Sequence, residues 1–177
     1  LTLGARALAA GRLEYTVSGL EQIPREGPLI LVSRHYHHLY DGVALYQIVP
    51  RPLHFVVTLD WATNPLVRIF MESVIRLARW PLVLRSDAVK ARSDGTRAQR
   101  NTVFTEKDAA RYQRRALRDA LDLLTGGKVL LLFPEGYPNI DPTFTPKTTP
   151  DEFLPFNAGF AVIAAAAEAV IRPSAVG

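Results

Sequence analysis

The sequence predicts an α/β fold: a single domain with a mixed, mostly parallel sheet flanked by helices. Three observations predict it. Two short apolar runs, Leu29–Val32 and Lys128–Phe133, carry the pattern of strands buried on both faces. The stretches between them place apolar residues at helical spacing, and strands alternating with helices argue for such a sheet. The 177 residues, 48% hydrophobic and 21% charged, are enough for one sizeable core.

The elements follow in chain order. Leu13 to Gly19 alternates apolar and polar, as a half-buried strand does. Glu21 to Pro28 holds two prolines and a glycine and is a turn. The Leu29–Val32 strand ends in Ser33-Arg34-His35-Tyr36-His37-His38, with Asp41 close behind. Ala44, Leu45 and Ile48 then recur at helical spacing, so this polar cluster sits where a central strand gives way to a helix. Leu53 to Leu59 reads as a second strand and Asn64 to Ala78 as a helix. Pro81 to Leu84 is a short strand ending at Arg85, and Ser86 to Asn101 is a polar, basic loop. Thr105-Glu106-Lys107-Asp108 is a capping-box pattern. It opens a helix whose expected buried stripe is Leu117, Ala120, Leu121 and Leu124, closed by Gly126-Gly127. After the Lys128–Phe133 strand, Tyr137 to Pro155 is proline-rich loop and Ala158 to Val170 an alanine-rich helix.

Charge is uneven. The net charge is +4, yet Arg85 to Arg118 alone holds 10 Lys/Arg against 4 Asp/Glu. Such a block suits an anionic partner. With no cysteine, the sequence excludes disulfides, a thiolate nucleophile and cysteine-ligated zinc, which fits a reducing compartment. No apolar run reaches the roughly 18–20 residues of a membrane-spanning helix. Leu1 to Gly11 is apolar but lacks the basic leader of a signal peptide. The domain is expected to span residues 1–177 and to be truncated at its C-terminus, because Val170-Ile171-Arg172-Pro173 reads like a strand entering a motif.

Three histidines within four residues, followed by Asp41, form the sharpest local signal. An imidazole titrates near neutral pH and can take a proton from an alcohol. A neighbouring carboxylate can fix its tautomer and stabilise the imidazolium. The bland alternative is a polar strand end with surface histidines. A metal reading would need more ligands than His54, the one remaining histidine, supplies. Phe133-Pro134-Glu135-Gly136 places a carboxylate at a sheet edge between a rigid and a permissive residue. Arg85, at a strand end, has the fork geometry to clamp a phosphate, against the simpler reading of a solvated surface arginine. Pro155 to Phe160 reads as an aromatic helix start packing into the core.

Taken in order, these blocks resemble the glycerol-3-phosphate and lysophosphatidate acyltransferase family. The resembling stretches are Ser33 to Gly42, Trp80 to Arg85, Leu132 to Gly136 and Ile171 to Pro173, within a resemblance running from about Gly19 to the end. The family separates its histidine and aspartate by four residues, a position filled here by Tyr36. His35 leaves five residues before Asp41 and His37 leaves three, so both remain candidates for the base. Arg34-His35 mimics the Asn-His that opens the family block, while helical spacing favours His37. Where the family has Thr-Arg after the glycine, this chain has Tyr137-Pro138.

The resemblance implies a glycerol-3-phosphate acyltransferase-like fold. It also implies a 1-acylglycerol-3-phosphate acyltransferase-like activity in phospholipid biosynthesis. An acyl group would pass from acyl-CoA or acyl-carrier protein to a hydroxyl of a lysophospholipid-like acceptor, without a covalent acyl-enzyme. His35 or His37 would be the base, Asp41 would orient it, and His38, Arg85, Phe133, Pro134, Glu135 and Gly136 would bind substrate. No metal and no resident cofactor are implied. The implied location is cytoplasmic, peripheral on the inner face of an anionic membrane, with Trp61, Phe70, Trp80 and the basic block at the headgroup layer. The rival readings are a non-catalytic lipid- or carrier-binding module, a metal-dependent hydrolase, and a nucleic-acid binder, the last resting on the basic block alone.

Overall fold

A computed structural model describes residues 16–37, 40–85, 89, 102–137, 149 and 152–174. The chain packs as two compact units, one made of Leu1–Leu53 with Leu124–Gly177, the other of His54–Leu123.

The first unit is built on β1 (Leu29–Ser33), β5 (Val129–Leu132) and β6 (Val170–Ser174). β1 pairs in parallel with β5, from Leu29 opposite Val129 to Val32 opposite Leu132. It pairs in parallel with β6 on its other side, ending with Ser33 opposite Ser174. With β2 (Leu53–Phe55) the sheet order is β2-β5-β1-β6. β1 and β5 are buried at every position, which is why their sequences are continuous apolar runs rather than alternating ones. Pro173 is tolerated because β6 is an edge strand. At the opposite end of the strands, the Arg51 guanidinium donates to the carbonyls of Pro24 (2.8 Å), Gly27 (2.6 Å) and Gly127 (2.8 Å). One side chain thereby fixes the turns that feed β1 and β5. Helices α1 (Tyr40–Ile48) and α4 (Gly159–Ala166) belong to the same unit.

The second unit holds α2 (Pro65–Leu77), most of α3 (Glu106–Thr125) and a parallel pair, β3 (Val57–Thr58) with β4 (Leu82–Val83). Its core gathers Leu59, Ala62, Ile75, Leu82, Leu84, Phe104, Ala109 and Tyr112. Trp80, partly buried, packs against this cluster and meets Phe55 edge-on at 4.9 Å. Asn64 caps α2 by accepting from the Leu66 N–H at 2.8 Å, with Pro65 at the first helical position. Thr105 and Asp108 form the expected reciprocal capping box on α3 (3.0 and 3.2 Å).

Four sequence expectations need adjustment. Thr16 to Gly19, the described part of the first expected strand, is irregular, because Val17 is exposed and the alternation finds no face to bury. Leu53 to Leu59 is two short strands in different sheets. The α3 stripe runs through Ala109, Tyr112, Ala116, Ala120, Leu123 and Leu124, a 3.6-residue progression that leaves Leu117 exposed. α4 stops at Ala166 because Glu168 turns left-handed (φ 50°) and redirects the chain into β6. The expected loops over 86–101 and 138–151 lie almost wholly outside the described residues.

Candidate active site

The C-terminal ends of β1 and β5 lie side by side, the edge of a parallel sheet where ligand sites gather. The chain leaves β1 through Arg34 to His37 and re-enters regular structure at Tyr40, the first residue of α1. Asp41 sits in that first helical turn and is buried. One of its carboxylate oxygens, Oδ2, accepts three contacts. The Tyr36 N–H donates at 2.6 Å, the His37 N–H at 2.8 Å, and His35 Nδ1 lies at 2.8 Å. The carboxylate thus reaches back to the segment that precedes its own helix, as an acidic residue in a first turn is placed to do.

These contacts separate the two candidate histidines. An ionised carboxylate only accepts, so the His35–Asp41 contact puts the ring proton on Nδ1. In the neutral ring Nε2 then carries the lone pair. The ring also stacks on Phe133, with centroids 4.1 Å apart and planes 16° off parallel. His37 meets Asp41 through its backbone N–H, while its ring Nδ1 lies 3.5 Å from the Tyr40 N–H and its face leans on the Tyr40 ring. Helical spacing favoured His37, but residues 35 to 37 precede the helix, so i to i+4 geometry never applies.

Phe133 leaves β5 and Pro134-Glu135 turns, with Gly136 left-handed at φ 72° and its N–H donating to the Phe133 carbonyl at 3.0 Å. Glu135 is buried, and its Oε2 accepts from the Leu154 N–H at 3.2 Å. The Asn157 N–H donates to the Pro134 carbonyl at 3.1 Å. Residues 152–157 are thereby strapped to the motif that follows β5. The strap carries Phe153 and Phe156, both more than half exposed, and the Arg34 guanidinium lies 4.4 Å from the Phe153 ring centre. The aromatic helix start expected to pack into the core instead lies beside the motif that His35 stacks on. Sequence reasoning missed this strap, whose one legible signal was the density of aromatic residues after a proline-rich loop.

Arg85 belongs to the second unit. Its Nε donates to Asp60 Oδ2 at 2.8 Å, and Asp60 is fully buried. The guanidinium is therefore aimed by an ion pair rather than loose on the surface, and Asp60 is a residue the sequence reading passed over. An acid two residues beyond β3 is a weak signal without its partner in view. His38 lies outside the described residues. Among the described residues no three His, Cys, Asp or Glu side chains converge as a metal site.

The arrangement can hold a neutral imidazole in one tautomer, at a strand edge, beside an apolar ring. That is the equipment of a general base acting on a hydroxyl. A family model described as Acyltransferase matches residues 14–177. No curated protein and no solved structure matches the chain.

Proposed function

For a chain that belongs to the glycerolipid acyltransferase family, and is thus an acyltransferase, we propose an acyl transfer from a thioester to a lysophospholipid-like hydroxyl, with His35 as the base. The observation that carries this reading is the 2.8 Å contact between His35 Nδ1 and the buried Asp41 carboxylate. In the proposed reaction His35 Nε2 removes the acceptor's hydroxyl proton as the oxygen attacks the thioester carbonyl. The tetrahedral intermediate collapses, the carbon–sulfur bond breaks, and the imidazolium returns its proton to the leaving thiolate. The products are an ester and a free thiol. The donor is acyl-CoA or acyl-carrier protein. Asp41 holds the tautomer and stabilises the imidazolium. Arg85, His38 and the Phe133–Gly136 turn are proposed to bind the substrates' polar parts. The chain contains no cysteine and no Gly-x-Ser-x-Gly elbow, in keeping with a route that needs no protein nucleophile.

The test is thiol release from a long-chain acyl-CoA with a panel of lysophospholipid acceptors. His35→Ala should lose about 100- to 10,000-fold in rate. His37→Ala should lose far less, since the His37 contact to Asp41 is through its backbone N–H, which the substitution keeps. Equal losses in the two variants would refute the assignment of the base, and acceptor-independent release would refute the transfer itself.

A further inference from the structure

The strap of residues 152–157 holds two apolar rings in water beside the proposed base. Phe153 is 59% exposed and Phe156 51%. Their centroids lie 6.4 Å apart with planes 60° off parallel, so the rings meet as the two walls of a shallow corner. A closed set of contacts within the first unit ties this corner to His35. His35 stacks on Phe133 at 4.1 Å, and Glu135, two residues further on, accepts from the Leu154 N–H at 3.2 Å. Phe153, next to Leu154, lies against the guanidinium of Arg34 at 4.4 Å, and Arg34 is the residue before His35. The cation holds the Phe153 ring by its face while more than half of the side chain stays exposed.

We propose that Phe153 and Phe156 are specificity-determining residues that form the subsite for a fatty acyl chain, the apolar part that a thioester donor and a lysophospholipid acceptor share. The inference rests on the reading that acyl transfer takes place at His35. Two observations select this occupant over a polar one. First, neither ring carries a hydrogen-bonding atom, so both favour an aliphatic chain by apolar area alone. Second, the backbone beneath the rings is ready to lose water. The Glu152 N–H donates to the Thr149 carbonyl at 3.3 Å, the Leu154 N–H to Glu135 at 3.2 Å and the Asn157 N–H to the Pro134 carbonyl at 3.1 Å. Pro155 has no N–H to satisfy. The Asn157 side chain is turned to its own helix, where Oδ1 accepts from the Gly159 N–H at 2.9 Å. A chain laid on the strap therefore strands none of these donors. Because the strap is fixed to the motif that His35 stacks on, the rings stand at a set remove from the base. A chain too short to reach them gains nothing from them, so the corner discriminates by length.

The experiment is titration calorimetry on the full chain, without turnover, in two arms. One compares lauroyl- with butyryl-phosphopantetheine, the acyl portion that CoA and carrier protein have in common. The other compares lauroyl- with butyryl-lysophosphatidate. In at least one arm the wild type should bind the lauroyl ligand at least roughly 100-fold more tightly, since each buried methylene is worth about fourfold. Phe153→Ala with Phe156→Ala should cut that ratio at least roughly tenfold, and Phe153→Leu with Phe156→Leu should keep most of it. The arm that shows the loss names the substrate whose chain the rings hold. Both side chains are exposed, so melting by circular dichroism should show folded variants. A wild type with no such preference in either arm would overturn the proposal. So would an alanine variant that keeps the wild-type ratio, or one that loses lauroyl and butyryl ligands equally, which would mark a strap that only shapes the site. A preference that depends on the rings, in a wild type that releases no thiol, would refute the transfer at His35 and leave the acyl-chain subsite standing.

Discussion

His35 presents Nε2 because Asp41 occupies Nδ1, and the same carboxylate oxygen anchors the backbone at Tyr36 and His37. Asp41→Asn should therefore act twice, freeing the tautomer and loosening the turn. A loss of activity of roughly 100-fold or more is expected from the tautomer alone. Because His37 meets Asp41 through its backbone N–H, which a substitution keeps, His37→Gln should leave this loss unreproduced, as thiol-release rates would show. Asp60 offers a second single-residue test. It is fully buried and receives Arg85 Nε at 2.8 Å, so removing its charge breaks a buried ion pair whose guanidinium is itself mostly buried. Asp60→Ala should cost about 3 kcal/mol or more in denaturant unfolding. A much smaller loss would mean that the Asp60–Arg85 pair contributes little to the fold.

At the scale of elements, the two helix ends of the second unit carry opposite lessons. α2 ends with Arg79 at φ 56°, its N–H donating to the Arg76 carbonyl (3.1 Å) while the Trp80 N–H reaches the Ile75 carbonyl (3.0 Å). This is a Schellman ending with arginine where glycine is usual. Arg79→Gly should relieve the left-handed strain and stabilise the fold by about 1 kcal/mol, read from the denaturation midpoint. α3 begins with the Thr105–Asp108 box. Burial pushes the Asp108 carboxyl up, but the two hydrogen bonds from Thr105 and the charges of Arg68 and Arg111 outweigh it and hold the group below its ordinary 3.8. A depressed carboxyl stabilises the fold above the unfolded value, and that contribution is lost as pH falls through the folded value. The melting temperature should fall below about pH 4, and fall less in Asp108→Asn. Tyr112 is shifted up, first by burial and then by its bond to Glu72, so its contribution is lost only as alkaline pH rises through the folded value.

For the whole molecule, charge is divided between the two units: His54 to Leu123 carries 13 Lys/Arg against 8 Asp/Glu, a balance of +5, and the rest of the chain totals −1. The family, the α/β class and the order of blocks along the chain were determined by the sequence itself. Both signals are local: a strand buried on two faces must be written as an apolar run, and the His, Arg and Phe-Pro-Glu-Gly blocks each lie within a few residues. The capping of α3 was legible for the same reason, because Thr105 and Asp108 are three residues apart. The tertiary structure alone decided that the His35 ring meets Asp41, what Asp60 and Arg51 hold, that residues 152–157 strap onto Pro134 and Glu135, and which face of α2 is left bare. Each of those depends on the path of the chain between residues that sequence spacing leaves unconnected. Apolar spacing marks both faces of α2 alike, and only packing against Leu59, Phe104 and their neighbours decides which of them is buried.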